Sequence, residues 1–285
     1  ECIIVDDGSS DNTDEVVGEY VKKDSRFKYY HRPEEHLPGG NGARNYGFKM
    51  SQGEYIQWFD SDDLMVAEKL ELKVKAMLEN DVDFVICSMN FVIDSKLKSC
   101  QPLEIKTNLF KDYVLWNFHI VTNNILFKKF TLKQYKLFDE NILRGQEAEF
   151  FARFFWENKD VKYQIIDIPL FNYRQHVESK TSLSRTYNKK FTKYVAFIHL
   201  ENLKRAQKIK DQELVRYLYK KCIKMIFSAL KNNHNENVVY IFNVLSKILY
   251  SKNKFILFKL WLLITFFNLK SKKIENHFKY AKIKI

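Results

Sequence analysis

Three aspartates fall within four residues at Asp60-Ser61-Asp62-Asp63, directly after the apolar run Tyr55-Ile56-Gln57-Trp58-Phe59. That run reads as a buried strand: short, aromatic, and preceded by the turn-type Gly53. Carboxylates this close repel one another unless something offsets the charge. A hard divalent cation is the usual offset, because Mg²⁺ and Mn²⁺ prefer carboxylate oxygens and keep room for substrate phosphates. A solvated acidic turn capping the next helix accommodates the same residues, so spacing alone leaves both readings open. Two further groups have chemical potential. Asp6-Asp7-Gly8 follows the apolar stretch at residues 2–5, and Glu147 and Glu149 open a helical pattern over residues 147–156.

The elements around these groups alternate. Short apolar strands are expected at 2–5, 27–30, 55–59, 84–91 and 163–168. Helical periodicity follows Thr13, then spans 43–50 and 67–78, the last with Leu70, Val74, Met77 and Leu78 on one face. Gly39-Gly40-Asn41-Gly42 reads as a flexible loop and Asp6 to Thr13 as a turn and N-cap cluster, with Asp6, Ser9 and Asp11 shaping it. Tyr173 to Ser182 reads as a polar loop. Strands alternating with helices imply an α/β fold with a mainly parallel sheet flanked by helices. Ligands of such sheets bind beyond the carboxyl ends of the strands. Asp6-Asp7-Gly8 and the Asp60–Asp63 cluster are both expected at that edge.

The chain has 285 residues, enough for one large domain or a domain with an appendage. Its net charge of +12 is unevenly spread: −5 over residues 1–185 and +17 over residues 186–285. The expected division is an acidic domain at 1–185 and a basic, aromatic-rich helical tail at 186–285. Cys2, Cys87, Cys100 and Cys222 show no metal-type spacing and suit a reducing compartment. The chain opens within a strand pattern, without a leading Met or a basic n-region, and is read as N-terminally incomplete.

Several ordered motifs together resemble the family 2 glycosyltransferases of the GT-A (Rossmann-like) fold. Residues 3–13, Ile-Ile-Val-Asp-Asp-Gly-Ser-Ser-Asp-Asn-Thr, look like the family's nucleotide-binding turn. Gly42-Ala43-Arg44-Asn45-Tyr46-Gly47, then Gly53-Glu54-Tyr55-Ile56 and Phe59 to Asp63, look like the approach to its metal-binding DXD motif. Phe138-Asp139-Glu140 followed by Gly145 to Phe150 is similar to its acceptor-side acidic motif. Tyr173-Arg174 with His176 and Ser179 looks like its late substrate loop. The likeness covers residues 1–185, is specific for the family in this order, and says little of the sugar. Two departures stand out: the strand, turn and helix with which the family opens are missing, and Gln146-Glu147 stands where Glu-Asp is usual.

The resemblance implies an inverting transfer of a sugar from a nucleotide-diphosphate donor, UDP-linked, with Mg²⁺ or Mn²⁺ as cofactor. It assigns Asp62 to the metal and Asp60 to the metal or the ribose, while Asp63 is expected to cap the next helix. Asp7 is implied to contact the base or ribose, and Gly8 to supply backbone freedom beside it. Arg44 is expected to reach a phosphate or the base, with an ion pair to a sheet-edge carboxylate as the alternative. Arg174 and His176 are expected near the diphosphate or the acceptor, with structural hydrogen bonding as theirs. Glu147 aligns with the usual catalytic Asp and is the expected general base, with Glu149 as the runner-up. The alternative is a module that binds nucleotide-sugar without turnover.

Residues 255–269 carry one charge, Lys259, among Phe255, Phe258, Trp261, Phe266 and Phe267. The stretch is short of the roughly 20 apolar residues a membrane span needs. Lysines flank it from Lys252 to Lys273, which suits a helix lying in an anionic membrane interface. A helix packed on the catalytic domain with solvated lysines is the alternative. The expected setting is cytoplasmic and peripheral on the inner face of the plasma membrane, with a glycan or lipid-linked acceptor and no nucleic acid partner.

Overall fold

A computed structural model describes residues 1–93, 96–99, 103–175, 187–249, 260–262 and 264–265. The chain divides into two compact units, Glu1–Leu183 and Ser184–Ile285. The first unit opens with β1 (Cys2–Asp6), α1 (Thr13–Lys23) and β2 (Phe27–His31). β1 and β2 pair in parallel, with Cys2 opposite Phe27 and Asp6 opposite His31. Next come α2 (Gly40–Met50), β3 (Tyr55–Gln57), the two-residue β4 (Leu64–Met65), α3 (Lys69–Asn80) and β5 (Phe84–Ile93). β6 (Lys96–Ser99), α4 (Leu109–Leu115), a 3₁₀ turn at Thr122–Asn124, β7 (Ile125–Lys128) and α5 (Lys129–Lys133) lead to α6 (Gln146–Glu157) and β8 (Tyr163–Gln175).

The larger sheet has the order β3-β7-β5-β8-β4, with β6 on β5. Among the described residues only β5–β8 is parallel within it; β3–β7, β4–β8, β5–β6 and β5–β7 are antiparallel. The α/β class holds, but the expectation of a mainly parallel sheet is corrected to a mixed one. The physical reason lies in the connections. β5 to β6 is a short reversal, and β7 and β4 are short strands laid against their neighbours rather than products of a helical crossover.

Local readings shift in instructive ways. The strand expected to reach Phe59 ends at Gln57, opposite Leu126 of β7, and the Gln57 side chain bonds backbone, Nε2 donating to the carbonyl of Trp58 at 2.7 Å. Gly40 to Gly42, read as loop, form the first turn of α2. Gly42 is needed there: a Cβ would lie 2.2 Å from the Leu37 carbonyl oxygen. Tyr173 to Gln175 are not loop but the end of β8, opposite Phe91 to Ile93. In α3 the expected face is only partly kept: Met77 is buried and Val74 packs on the core. Leu70 and Leu78 are exposed, while Lys69 and Lys73 are fully buried.

The core is aromatic. Phe84, Phe127, Phe150, Phe154 and Phe155 are all essentially inaccessible, and Trp58 packs edge-on to Phe127, Phe138 and Phe150. That packing of β3, β7 and α6 holds the Asp60 loop against the start of α6. The second unit contains α7 (Lys189–Lys208), α8 (Gln212–Lys231) and α9 (Asn235–Leu249), each packed on the other two. Asn188 and Asp211 cap α7 and α8 by accepting from Phe191 N at 3.2 Å and Leu214 N at 3.0 Å. Leu200, Leu203, Leu214, Leu218, Ile226, Ile241 and Leu245 fill the space between them. Most of the lysine-flanked segment at 252–273 lies outside the described residues, as does His176. No helix among the described residues is long and apolar enough to cross a membrane.

Candidate active site

The acidic cluster stands where β3 leaves the sheet. Carboxylate oxygens of Asp60, Asp62 and Asp63 lie within 4.8 Å of one another. Asp62 is exposed, Asp60 half-buried and Asp63 buried. An all-oxygen set at this spacing fits a hard divalent cation such as Mg²⁺ or Mn²⁺. The three carboxylates are not equivalent. Arg44 Nη2 donates to Asp60 Oδ1 at 2.6 Å, so one charge is already partly offset by protein. Asp63 accepts from the Arg174 backbone N at 2.8 Å and from the Asn123 side chain. It does not cap α3, whose N-cap residue is Glu68; the capping expectation is corrected because Asp63 turns inward to β8. Burial, then the charges of Asp62 and Asp60, push its carboxyl up to about 6.

Asp62 is exposed, with no donor to its carboxylate among the described residues, while the Arg174 guanidinium Nε donates to its backbone carbonyl. Arg174 thus meets the cluster through both its backbone and its side chain. The strand that delivers it, β8, explains the long-range reach: Arg174 sits opposite Val92 in the parallel pairing with β5.

Glu147 lies in the first turn of α6, where the helix dipole favours an anion. Its Oε1 accepts from Thr122 N and Thr122 Oγ1, each at 3.0 Å. Burial raises its pKa above the ordinary carboxylate value, with Arg44 opposing and Asp60 reinforcing the shift. Asp60, Arg44 and Glu147 therefore share one electrostatic environment. Glu149 does not. It is buried in a bidentate pair with Arg153, Oε1 to Nε at 2.7 Å and Oε2 to Nη2 at 2.9 Å. Arg153 in turn donates to the carbonyls of Lys136 and Leu137, so this pair fastens α6 to the preceding loop.

At the end of β1, Asp6 folds the turn, accepting from Gly8 N at 2.9 Å and from the Ser9 backbone and hydroxyl. The Ser9 hydroxyl leads the causes that hold its carboxyl below the ordinary value. Gly8 has φ +93°, a left-handed conformation that lets the chain reverse there. Asp7 is half-exposed and pairs with Arg32, which also binds the carbonyls of Pro33 and His36. Asn41, Asn45, His36 and Leu37 N all bond the 138–142 segment; Glu140 accepts from Leu37 N at 2.7 Å and from Asn45 at 2.8 Å. The Phe138-Asp139-Glu140 motif thus anchors α2, which carries Arg44.

The sequence reading missed Thr122, Asn123 and Asn124, each fully buried. Asn123 joins the cluster by both ends of its amide: Oδ1 accepts from Asp60 N at 3.0 Å, and Nδ2 donates to Asp63. The signal was available: three polar residues are wedged between the apolar runs Phe118 to Val121 and Ile125 to Phe127. It also missed Arg32 and the two buried lysines of α3.

Residues 1–137 match the family described as Glycosyl transferase family 2. An uncharacterized glycosyltransferase of Rickettsia conorii is 36% identical over 151 residues, which is 52% of this chain and 24% of that protein. The UDP-Glc:alpha-D-GlcNAc-diphosphoundecaprenol beta-1,3-glucosyltransferase of Escherichia coli is 36% identical over 110 residues, 38% of this chain and 42% of that one. The chain spans 21–24% of the length of the three Rickettsia relatives it matches. Among solved structures, S. aureus TarS 1-349 in complex with UDP-GlcNAc has a TM-score of 0.54 at 17% identity, covering 93% of this chain and 70% of that one. That likeness is one of fold. Residues 1–137 thus belong to glycosyl transferase family 2, and the mixed α/β architecture shared with TarS is the GT-A fold.

Proposed function

We propose that this chain transfers a sugar from a UDP-sugar to a hydroxyl of a glycan or lipid-linked acceptor, with inversion at the anomeric carbon. The observation that carries the reading is the proximity of the Asp60–Asp63 cluster to Glu147, both fixed by the Thr122–Asn124 turn. Asp62 and Asp60 would hold the divalent ion, which when bound supplies neutralisation of the leaving diphosphate. Asp7 and Gly8 line the nucleotide side, and Arg44 and Arg174 supply positive charge next to the carboxylates. Glu147 takes the acceptor hydroxyl proton. The hydroxyl oxygen forms its bond to the anomeric carbon as the bond to the diphosphate oxygen breaks, and the electron pair leaves with UDP. The single displacement inverts the centre.

The first three relatives, all called uncharacterized glycosyltransferases, leave donor and acceptor open. The E. coli relative, named for a UDP-Glc donor and a diphosphoundecaprenol-linked acceptor, supports a surface-glycan role. The basic, aromatic segment at 252–273 supports a peripheral site on an anionic membrane face. The test is release of UDP from a panel of UDP-sugars in the presence of Mn²⁺, with candidate lipid-linked acceptors. Asp62→Ala is expected to abolish metal-dependent transfer, and Glu147→Gln to lower the rate on the order of 10²-fold or more. Undiminished turnover by Asp62→Ala, or by the parent chain in chelator, overturns the metal-dependent mechanism.

A further inference from the structure

The 3₁₀ turn at Thr122–Asn124 is an unusual piece of core. Its three polar side chains are wholly inaccessible, and burying polar groups is unfavourable unless each is hydrogen-bonded. Every one is engaged. Asn124 accepts from Val121 N at 2.7 Å and donates to the Cys87 carbonyl at 2.6 Å, closing the turn on itself and on β5. Thr122 spends its N–H and its hydroxyl on Glu147. Asn123 bonds Asp60 and Asp63, the first and last residues of the acidic cluster.

The backbone of the turn is held from behind by lysines. Lys69 Nζ donates to the Asn123 carbonyl at 2.7 Å, and its ammonium sits 4.4 Å from the ring centroids of both Phe59 and Phe171. Lys73 Nζ donates to the Asn124 carbonyl at 2.7 Å and to Gln57 Oε1 at 2.8 Å. Two ammonium groups in a core are a large desolvation penalty for a merely structural brace, since an apolar side chain of the same size fills space at no such penalty. What the lysines add is direction. They fix the two carbonyls, hence the turn, hence the Asn123 amide. Lys69 also lies between the residue before Asp60 and the strand that carries Arg174.

We propose that Asn123 and Lys69 are positioning residues for the sugar transfer. Asn123 sets the spacing and orientation of Asp60 and Asp63 so that the cluster presents a preformed cation site, and Lys69 fixes Asn123. Because Thr122 of the same turn holds Glu147, one rigid turn sets the cation end and the base end of the reaction together. The inference rests on the metal-binding reading of the cluster given above. Partners outside the direct ligands commonly change metal affinity by about 10–100-fold when removed.

The test is Mn²⁺ binding to the full chain, alone and with UDP, followed by electron paramagnetic resonance of free Mn²⁺. Asn123→Ala and Lys69→Met are each expected to weaken Mn²⁺ at least about tenfold. Thr122→Val is the matched control. It perturbs the same buried turn and loses the hydroxyl bond to Glu147 while keeping the backbone N–H bond, and it leaves the bonds to the aspartates, so its Mn²⁺ affinity stays within about twofold of the parent. Loosening of the turn alone would weaken Mn²⁺ in all three variants equally and overturns the proposal. So does parent-like Mn²⁺ affinity in Asn123→Ala and Lys69→Met. If Asn123→Ala fails to fold, Lys69→Met decides by itself. A parent chain that binds no Mn²⁺ overturns the metal-binding reading as well, whereas tight binding by parent and Lys69→Met alike overturns only this inference.

Discussion

Glu147 is useful as a base because two opposing influences meet on it. Burial and Asp60 raise its pKa, and Arg44 and the Thr122 donors restrain the rise. A general base acts only when deprotonated, so kcat/KM falls as pH drops through that raised value. Removing Arg44 leaves burial and Asp60 less opposed. Arg44→Gln is therefore expected to move the acidic limb of the pH–rate profile upward, with the loss of rate greatest at the acidic end of the profile. A limb that stays put, or shifts downward, dissociates Arg44 from the base. The same residue pairs with Asp60 at 2.6 Å, so its loss is also expected to alter Mn²⁺ dependence. Glu149→Gln tests the other carboxylate. It breaks a buried bidentate pair with Arg153, so the expected loss is stability, of about 3 kcal/mol, read from urea unfolding with the acidic limb unmoved.

α3 shows how much of the fold was legible and why the rest was not. Its existence follows from periodicity, and its face follows only in part, with Met77 and Val74 on the core side. Leu70, Val74, Met77 and Leu78 carry the visible apolar stripe, yet Leu78 is 68% exposed while Lys69 and Lys73 are fully buried. Lysine has a long apolar stem, and its burial depends on carbonyls presented by a turn some 50 residues away, which no local pattern encodes. The acidic cluster and Glu147 were legible because their chemistry is carried by residue type and order. The Thr122–Asn124 turn was not, because its role is to receive other elements. The buried lysines have a measurable consequence. Burial lowers Lys69 to about 7, with Lys73 adding to the shift, and lowers Lys73 to about 8. Between those values and the ordinary 10.5, the unfolded chain holds protons that the folded chain has given up. Stability therefore rises with pH across this window. Urea unfolding is expected to show a gain of about 1 kcal/mol per pH unit per lysine between pH 7 and pH 9, flattened in Lys69→Met/Lys73→Met. A parent chain that loses stability over that range contradicts the buried placement.

At the scale of the whole molecule, charge is divided unevenly along the sequence. Residues 1–185 carry −5, where an acidic site is built into a sheet edge, and residues 186–285 carry +17. Within the second unit the helices bury their leucines and isoleucines against one another, and the lysines add little to that packing. Their sum instead creates a positive field that reaches about 10 Å at 0.1 M salt. Anionic lipid and nucleic acid both answer to such a field, but they differ in what else they reward. A bilayer also takes up the apolar side chains that follow, Phe255, Phe258, Trp261, Phe266 and Phe267, and that contribution survives salt. Nucleic acid binding through phosphates alone collapses steeply with salt. The expected outcome is co-flotation with vesicles containing anionic phospholipid that weakens but persists at 0.3 M salt. Replacing Phe258, Trp261 and Phe266 with serine should abolish the salt-resistant part and leave the low-salt part. Binding that vanishes entirely with salt in the parent, or that is matched by double-stranded DNA at equal salt, assigns the positive charge to a polyanion and removes the membrane from the picture.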